Sequence, residues 1–267
     1  MIFFGDFLRT FDPYAIIPPM SKHRNELKFL LLEARLDQDM VEHEKSCLAR
    51  SGALQPEQFQ VVDMVKSLPT LEMLDGVDAV FIGGTGDFSV AKDRPPFFDP
   101  LVALTQTILE RGVPFMGLCY GFHLMAQAIG GRVIRDPAHG ESGTFEVELT
   151  DEGKQDVILG GLPPRFLAQQ GHNDVVHDVP APFIRLAFSE RCRWQALRHP
   201  EKPFYGLQFH PELSREDFML RMRKYAHEYA DSPERYKEID EQVKETTLQD
   251  VVHRFIDHIV LPHRASV

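Results

Sequence analysis

Apolar runs rich in β-branched and aromatic residues alternate with stretches of helical period along the first half of the chain. This alternation predicts an α/β fold in three layers, in which a mainly parallel sheet is flanked by helices. The predicted helix at residues 39–50 ends at Ser51-Gly52 and the one at residues 101–111 ends at Gly112, because glycine tolerates the backbone of a helix terminus. The predicted strands lie at residues 28–34, 59–65, 78–82 and 113–118.

The second half of the chain has a different pattern, with short strand candidates joined by turn residues. This pattern indicates that the sheet gains antiparallel strands, at residues 131–134, 144–149, 165–169, 184–189, 193–198 and 204–209. From Ser214 onward the strand signals vanish. The apolar period there predicts helices at residues 215–229, 233–243 and 248–260.

No internal repeat, low-complexity segment or Gly/Ser linker divides the chain. We therefore expect one main α/β domain at residues 26–213, with a C-terminal helical extension at residues 214–267 packed on the same domain. Residues 1–25, which include Pro13, Pro18 and Pro19, are predicted to form an irregular N-terminal arm.

The charge of the chain limits its partners. A formal net charge of −11 provides no basic surface, which argues against nucleic acid or an anionic membrane and favours a small polar substrate. No apolar run approaches the roughly 20 residues that span a bilayer. Asp6 and Arg9 interrupt the opening segment where a signal peptide would be apolar, so we expect a cytoplasmic protein.

Cofactor and metal motifs are incomplete. Cys47, Cys119 and Cys192 lie far apart and form no Cys-x-x-Cys pair, which argues against a disulfide framework or a zinc site. Residues 84–86 (GTG) match only the start of a dinucleotide fingerprint, because the third glycine is missing. Residues 139–141 (HGE) resemble the first half of a zinc deaminase signature without its Cys-x-x-Cys. We therefore predict neither a cofactor nor a metal.

The segment Gly117-Leu118-Cys119-Tyr120-Gly121 joins a predicted strand to the helix after it. A nucleophile on such a tight turn is held exposed in strained backbone, and the two glycines let neighbouring segments approach. The start of the helix favours the thiolate, which is the reactive form of cysteine. We predict that Cys119 is a nucleophile, in preference to the usual role of a free cysteine as a small buried hydrophobe.

A thiolate nucleophile needs a proton carrier and a group that orients the carrier. Residues 209–212 (FHPE) supply both at the end of a predicted strand, since Glu212 can turn back to hold the imidazole of His210. We predict His210 as the base and Glu212 as its orienting acid. Taken alone the pair is weak evidence, because the chain has twelve histidines.

Together these segments resemble the class I (triad) glutamine amidotransferases, particularly the standalone proteins similar to the amidotransferase domain of GMP synthase. The resemblance is strongest over residues 75–213, where the motifs occur in family order. They are Gly83-Gly84 after a strand, the elbow around Cys119, Glu141-x-Gly143 before a strand, residues 171–176 (GHNDVV) and residues 206–212 (GLQFHPE). The resemblance implies a flavodoxin-like fold.

The resemblance also implies a reaction. Cys119 would attack the side-chain amide of L-glutamine, His210 would protonate the departing ammonia, and water would hydrolyse the γ-glutamyl thioester. The backbone N–H groups of Gly84 and Tyr120 would form the oxyanion hole. Residues near the substrate, with supporting roles for the last two, would be Gly83, His123, His172 and Asp174.

The sequence departs from the family at two places. Family members usually have glutamine four residues after the nucleophile, where this chain has His123. Their glycine turn is commonly Gly-Gly-Pro, where this chain has Thr85 after the two glycines, followed by Gly86 and Asp87. We expect His123 to line the pocket, and both changes leave open a substrate other than free glutamine.

Three function classes therefore remain open. The first is a glutaminase that releases ammonia for a separate synthetase, because no synthetase or ATP-binding domain follows in this chain. The second is a self-sufficient hydrolase of a γ-glutamyl amide or peptide, and the third is a non-catalytic binding module on the same fold. The intact set of Cys119, His210 and Glu212 favours the first two classes.

Overall fold

The computed structural model describes residues 23–229 and 232–264. Most of the predicted N-terminal arm, residues 1–22, lies outside the described residues. The strands described are β1 (Phe29–Glu33), β2 (Phe59–Asp63), β3 (Ala79–Ile82), β4 (Phe115–Leu118), β5 (Arg132–Arg135), β6 (Glu141–Leu149), β7 (Arg165–His172), β8 (Asp174–Asp178), β9 (Ile184–Phe188), β10 (Ala196–Arg198) and β11 (Phe204–Leu207).

Asp37 caps the first α-helix, because its side chain accepts the backbone N–H groups of Asp39 and Met40. The α-helices described are α1 (Gln38–Gly52), α2 (Phe98–Arg111), α3 (Tyr120–Ala128), α4 (Asp151–Lys154), α5 (Arg215–Lys224), α6 (Ala226–Tyr229), α7 (Pro233–Gln242), α8 (Asp250–Phe255) and α9 (Leu261–Arg264). A π-helical turn, Ile256–Val260, joins α8 to α9. Short 3₁₀ turns lie at Arg24–Glu26, Pro56–Gln58 and Leu71–Leu74.

The main sheet has nine strands within the described residues, in the order β2-β1-β3-β4-β11-β10-β9-β6-β7. The strands from β2 to β11 in this order pair in parallel, and those from β11 to β7 pair antiparallel. β5 and β8 form a separate antiparallel pair. We call β2, β1, β3, β4 and β11 the parallel half, and β10, β9, β6 and β7 the antiparallel half.

The parallel strands are apolar along most of their length because both faces of the sheet are covered. Phe29 and Leu31 pack into one hydrophobic core with residues of α1 and α8, whereas Leu30 and Leu32 pack into another with residues of α2 and α3. Phe255 of α8 lies with its ring centroid 5.7 Å from that of Phe81. The predicted α/β class with helices on both faces is confirmed, and the predicted antiparallel strands form the other half of the sheet.

Several element boundaries differ from the prediction. β6 begins at Glu141, so the Glu141-x-Gly143 motif lies inside the strand and not before it. There residues 141–143 pair with residues 170–172 of β7. The prediction missed β8 altogether. The single helix predicted at residues 215–229 is interrupted at Tyr225, whose ring packs directly against Gly86.

Helix ends follow the predicted glycines only in part. Gly112 follows α2 with φ of +68°, as expected for a left-handed terminator. After α1 the left-handed residue is Ala53, and Gly52 is still helical. A Cβ on Gly52 would come within 2.8 Å of Ile256, so close packing of the C-terminal segment explains that glycine. Among the described helices none is both long and apolar enough to cross a membrane.

Candidate active site

Cys119 lies between β4 and α3 in a strained conformation, with φ of +51° and ψ of −98°. Its backbone N–H donates to the carbonyl of Leu207 at 2.8 Å, which ties the elbow to β11. A Cβ on Gly121 would lie 2.1 Å from the carbonyl oxygen of Ile82, and one on Gly117 would lie 2.5 Å from that of Gly121. The glycines on either side of Cys119 therefore permit close backbone approach, as predicted.

His210 follows β11 and is held by the antiparallel half, since its N–H donates to the carbonyl of Gln169 at 3.0 Å. Its ring and the Cys119 side chain line the same pocket, and the sulfur lies close enough to raise the pKa of the ring. On its other side, Nδ1 donates to Glu212 Oε1 at 2.8 Å. The structure thus brings together Cys119, His210 and Glu212, all buried, in the order required for a nucleophile, a proton carrier and an orienting acid.

The charge of the imidazole is set by its two partners. Burial alone would lower the pKa of His210, but the Glu212 carboxylate and then the Cys119 side chain raise it to about 10. His210 is therefore an imidazolium at neutral pH. This cationic ring lies beside Cys119, at the N-terminus of α3, where it can exchange a proton with a reacting group.

The glycine turn after β3 lies directly against this pair. A Cβ on Gly84 would come 2.9 Å from His210 Cε1 and 3.6 Å from Cys119 Cβ. A Cβ on Gly83 would collide with the buried carboxylates of Glu44 and Glu33. Both positions require glycine because no side chain fits.

The oxyanion role of Gly84 stays a prediction, because a protein side chain already accepts the N–H of Gly84. Its N–H donates to Glu44 Oε1 at 3.0 Å and therefore is not directed at a substrate beside Cys119. Sequence reasoning missed this contact because Glu44 reads as an ordinary polar position of an amphipathic helix. Tyr120 is the first residue of α3, where backbone N–H groups have no partner within the helix, so it keeps the geometry of an anion donor.

A pocket opens at Cys119. His123 lies in its wall, with Nε2 donating to Gln208 Oε1 at 2.6 Å. Burial and then the neighbouring His172 lower the pKa of His123 to about 4, although Asp174 opposes this shift, so the ring is neutral at neutral pH. His123 thus lies in the wall of the pocket, and its contact with a substrate stays a prediction.

His172 and Asp174 lie in the same pocket but are engaged by protein groups. The Nδ1–H of His172 donates to the carbonyl of Asp174 at 2.9 Å, and Nε2 lies 3.1 Å from Glu141 Oε2. The Asp174 carboxylate accepts the Ser89 hydroxyl at 2.8 Å and the Ala91 N–H at 3.1 Å. Both residues can fix the shape and charge of the pocket.

The C-terminal segment contributes a wall that sequence reasoning did not assign to the site. Tyr225 and Tyr229 line the space beside Cys119, and the Tyr229 hydroxyl donates to the carbonyl of Gly171 at 3.0 Å. That carbonyl also lies 3.6 Å from Cys119 Sγ. Arg221, Tyr225 and Tyr229 are spaced by four residues in the predicted helix 215–229, which was the available signal that they share a face.

Two described groups of side chains have donor atoms close enough to share a metal ion. Glu141, His172 and Cys192 form the first, which is buried behind the pocket. The second is His43, Cys47 and Asp217, and there Arg50 and Arg221 also reach these side chains. The guanidinium groups already balance the second group, and hydrogen bonds already hold Glu141 and His172 to each other in the first.

Comparisons with known proteins agree with this geometry. The family model for glutamine amidotransferase class-I matches residues 39–224, more than half of the chain. A glutamine-hydrolyzing GMP synthase subunit from Archaeoglobus fulgidus is 32% identical over 159 residues, which cover 60% of this chain and 79% of that protein.

Two further relatives are matched over a smaller part of their length. The corresponding GMP synthase subunit from Methanopyrus kandleri is 45% identical over 102 residues, which cover 38% of this chain and 52% of that protein. The glutamine-hydrolyzing GMP synthase from Shewanella woodyi is 32% identical over 142 residues, which cover 51% of this chain and 26% of that protein. The chain thus spans about half or less of the length of these two relatives.

Solved structures show the same fold. A glutamine amidotransferase from Thermotoga maritima superposes with a TM-score of 0.67 and 22% identity over 88% of this chain and 98% of that chain. A glutamine amido transferase from Methylobacillus flagellatus gives a TM-score of 0.65 and 18% identity over 88% and 95% of the two chains.

Proposed function

Because the chain belongs to the class I glutamine amidotransferases, we propose that it hydrolyses the side-chain amide of glutamine, with Cys119 as the nucleophile. The observation that carries the proposal is the buried row of Cys119, His210 and Glu212 at the elbow. His210 and Glu212 are its proton carrier and orienting acid.

The reaction follows from the charges of this row. The thiolate of Cys119, whose proton His210 has taken, attacks the amide carbon and forms a tetrahedral intermediate. The C–N bond then breaks as the imidazolium of His210 gives its proton to the leaving nitrogen, which departs as ammonia. A water molecule, deprotonated by the now neutral His210, attacks the γ-glutamyl thioester and releases glutamate and the thiol.

The negative oxygen of each intermediate needs backbone donors, which are typically worth about 3 kcal/mol each. Tyr120 N–H, at the start of α3, is the donor that the elbow offers directly. Gly84 N–H can join it only if its hydrogen bond to Glu44 opens.

The amino-acid end of the substrate extends into the pocket. Arg135 and Glu228 line that pocket and form an ion pair with each other at 2.6 Å, so groups of both charges are present for an α-carboxylate and an α-amine. His123 contacts the substrate, and His172 and Asp174 support the wall. Gly83 leaves room for the turn beside it.

We further propose that the ammonia passes to a separate synthetase that aminates its own substrate. Support comes from the relatives that are named as one subunit of GMP synthase, which this chain matches over most of their own length. The acceptor is therefore expected on another polypeptide.

The test of this function is ammonia release from L-glutamine by the wild type, by Cys119→Ala and by Cys192→Ala as a matched control. Cys192 is also a buried free cysteine, but its sulfur lies against the carbonyl of His139 and not against His210. We expect release by the wild type and the control and none by Cys119→Ala. Equal release by all three variants would refute the assignment of Cys119.

A second candidate function is hydrolysis of a γ-glutamyl amide or peptide without a partner. It is favoured by His123, whose neutral ring in the pocket wall replaces the family's glutamine. His123→Gln should change the ratio of kcat/KM for L-glutamine to that for a γ-glutamyl dipeptide. If the variant leaves kcat/KM unchanged for both compounds, His123 has no part in substrate choice.

A further inference from the structure

A row of buried charges continues from the triad in the direction away from Cys119. Arg221 of α5 donates from Nη1 to Glu212 Oε1 at 3.3 Å. The same Nη1 lies 3.6 Å from Glu44 Oε2 on α1. The other oxygen of Glu44 accepts the N–H of Gly84 at 3.0 Å. One carboxylate therefore contacts both the arginine behind the base and the glycine turn beside it.

This carboxylate is fully buried, and an unpaired charge there would be very costly. Arg35 supplies the compensating charge, since its Nε donates to Glu44 at 2.9 Å and to Glu33 at 3.2 Å. Burial alone would raise the pKa of Glu44, but Arg221, Arg35 and His210 lower it to about 2. Burial and then the charge of Glu44 raise the pKa of Glu33 well above its usual value. Of this pair, Glu44 is thus the carboxylate whose ionised form is favoured, and protonation is favoured at Glu33.

We propose that Glu44 is a positioning residue for the catalytic pair. Through Arg221 it fixes Glu212 and hence the orientation and charge of His210. Through the N–H of Gly84 it fixes the turn that lies against the same imidazole. The inference rests on the proposed function for what His210 does in turnover, whereas the contacts themselves do not depend on the substrate.

The direction in which the loss of the Glu44 charge shifts the pKa of His210 follows from the charged groups around this row. Without the charge of Glu44, Arg221 and Arg35 are less well compensated, and Arg221 is drawn toward Glu212. The negative charge that stabilises the imidazolium of His210 is then weakened, so His210 loses its proton at lower pH. Several charged and titratable groups face Glu44 and Arg221, namely Glu33, Arg35, His43, Cys47, His210 and Glu212. Two more lie just beyond them, Asp217 next to His43 and Tyr225 next to Arg35.

The decisive experiment is an NMR titration of the His210 ring in the full chain, with its signal assigned by its loss in His210→Gln. Glu44→Gln keeps an oxygen for the N–H of Gly84 and removes only the charge. We expect its His210 to titrate at least about one pH unit below the wild type, because a neighbouring charge shifts a pKa by that amount or more. Arg221→Gln removes the opposite charge and should not lower the titration.

The matched control is Asp156→Asn, because Asp156 is another buried carboxylate next to an arginine. Asp156 accepts N–H groups of Ile158 and Leu159 and lies 3.1 Å from Arg198 Nε. Its loss should reduce stability and leave the His210 titration unchanged. A His210 titration in Glu44→Gln that equals the wild type, or an equal shift in Asp156→Asn, would overturn the proposal.

Turnover provides the second readout. In Glu44→Gln we expect kcat for ammonia release to fall by about 10²-fold with little change in KM, because the base is misplaced and the pocket is intact. If Glu44→Gln does not fold, Arg221→Lys replaces it, since one ammonium cannot hold Glu44 and Glu212 in the same geometry. A Lys variant with wild-type kcat would then overturn the proposal. A wild type without glutaminase activity would refute the proposed function, but the NMR titration would still decide the role of Glu44.

Discussion

The parallel and antiparallel halves of the main sheet contribute different parts of the site. Gly83 and Gly84 follow β3, Cys119 follows β4 and His210 follows β11, and these three strands are neighbours in the parallel half. The antiparallel half supplies Glu141 and His172, from β6 and β7, and the separate strand β8 adds Asp174. The groups proposed to react thus come from one half, and the polar wall of the pocket comes from the other half and β8.

The two halves of the sheet position their residues at the pocket in different ways. Carboxyl ends of adjacent parallel strands meet at one edge, so the backbone alone brings the turn, the nucleophile and the base together. The antiparallel residues are instead held by hydrogen bonds between side chains, as in the contacts of His172 with Glu141 and of Ser89 with Asp174. We therefore expect substitutions in the first set to lower kcat and substitutions in the second to raise KM.

The largest effect is expected for Glu212→Gln. The substitution removes the charge that raises the pKa of His210, so the imidazolium that protonates ammonia is lost at neutral pH. Loss of the orienting acid in a triad typically costs about 10⁴ in kcat, and we expect a fall of about 10³-fold or more. Glu141→Gln, also a buried carboxylate beside a histidine, should change KM and keep kcat within about tenfold. Similar losses of kcat in the two variants would remove the distinction between the halves.

The second-largest fall in kcat is expected from a steric clash at Gly84. In Gly84→Ala the new methyl group would lie 2.9 Å from His210 Cε1, so the imidazole must shift by a few tenths of an ångström or more. We expect kcat to fall by about 10²-fold, as misplaced catalytic groups typically cause. Gly76→Ala serves as the control, because Gly76 has φ of +74° and open space around it. That control should lose stability and retain kcat, and wild-type kcat in Gly84→Ala would contradict the close contact.

The dependence of kcat on pH shows whether His210 is protonated or neutral in the resting enzyme. The pKa of His210 is raised to about 10, so the imidazolium needed for ammonia release is present below that pH and is lost above it. We expect kcat to be retained through neutral pH and to fall about tenfold per pH unit beyond about pH 10. A decline that begins near pH 6.5 would show that Glu212 does not hold the proton on His210.

The smallest effect is expected in the wall of the pocket. Ser89→Ala removes a hydroxyl that donates to both oxygens of Asp174, so the carboxylate loses one of its anchors. We expect KM to rise about threefold to tenfold with kcat nearly unchanged, in line with the net contribution of one typical hydrogen bond. Ser46→Ala, whose hydroxyl donates within α1, should leave both constants unchanged. A fall in kcat without a change in KM would place Asp174 with the reacting groups.

The sequence was sufficient where a function depends on adjacent residues. The elbow around Cys119 and the His-Pro-Glu segment are local, so their glycines, strand ends and side-chain order could be predicted. Glu44 could not be identified in this way. Its burial results from packing against Arg221, far away in the chain, and a polar residue on an amphipathic helix gives no signal of such a partner.

The element boundaries failed for a similar reason. Glu141 and Gly143 lie in a strand because β7 pairs with them, although glutamate and glycine have little preference for strands. At the break in the predicted helix, the ring of Tyr225 packs against Gly86, which lies in a different part of the chain. Tertiary contacts therefore determine the structure of the pocket wall, whereas the local sequence pattern was enough to predict the segments that hold Cys119 and His210.

The most direct test of the central claim is detection of the γ-glutamyl thioester. The wild type and Cys119→Ser would be mixed with L-glutamine, quenched in acid during turnover and analysed by peptide mass spectrometry. We predict an added γ-glutamyl group on the peptide that contains Cys119 in the wild type, absent from the peptides with Cys47 and Cys192 and absent when His210→Ala replaces the wild type. A γ-glutamyl group on another residue, or glutamate release by Cys119→Ser at the wild-type rate, would contradict the account.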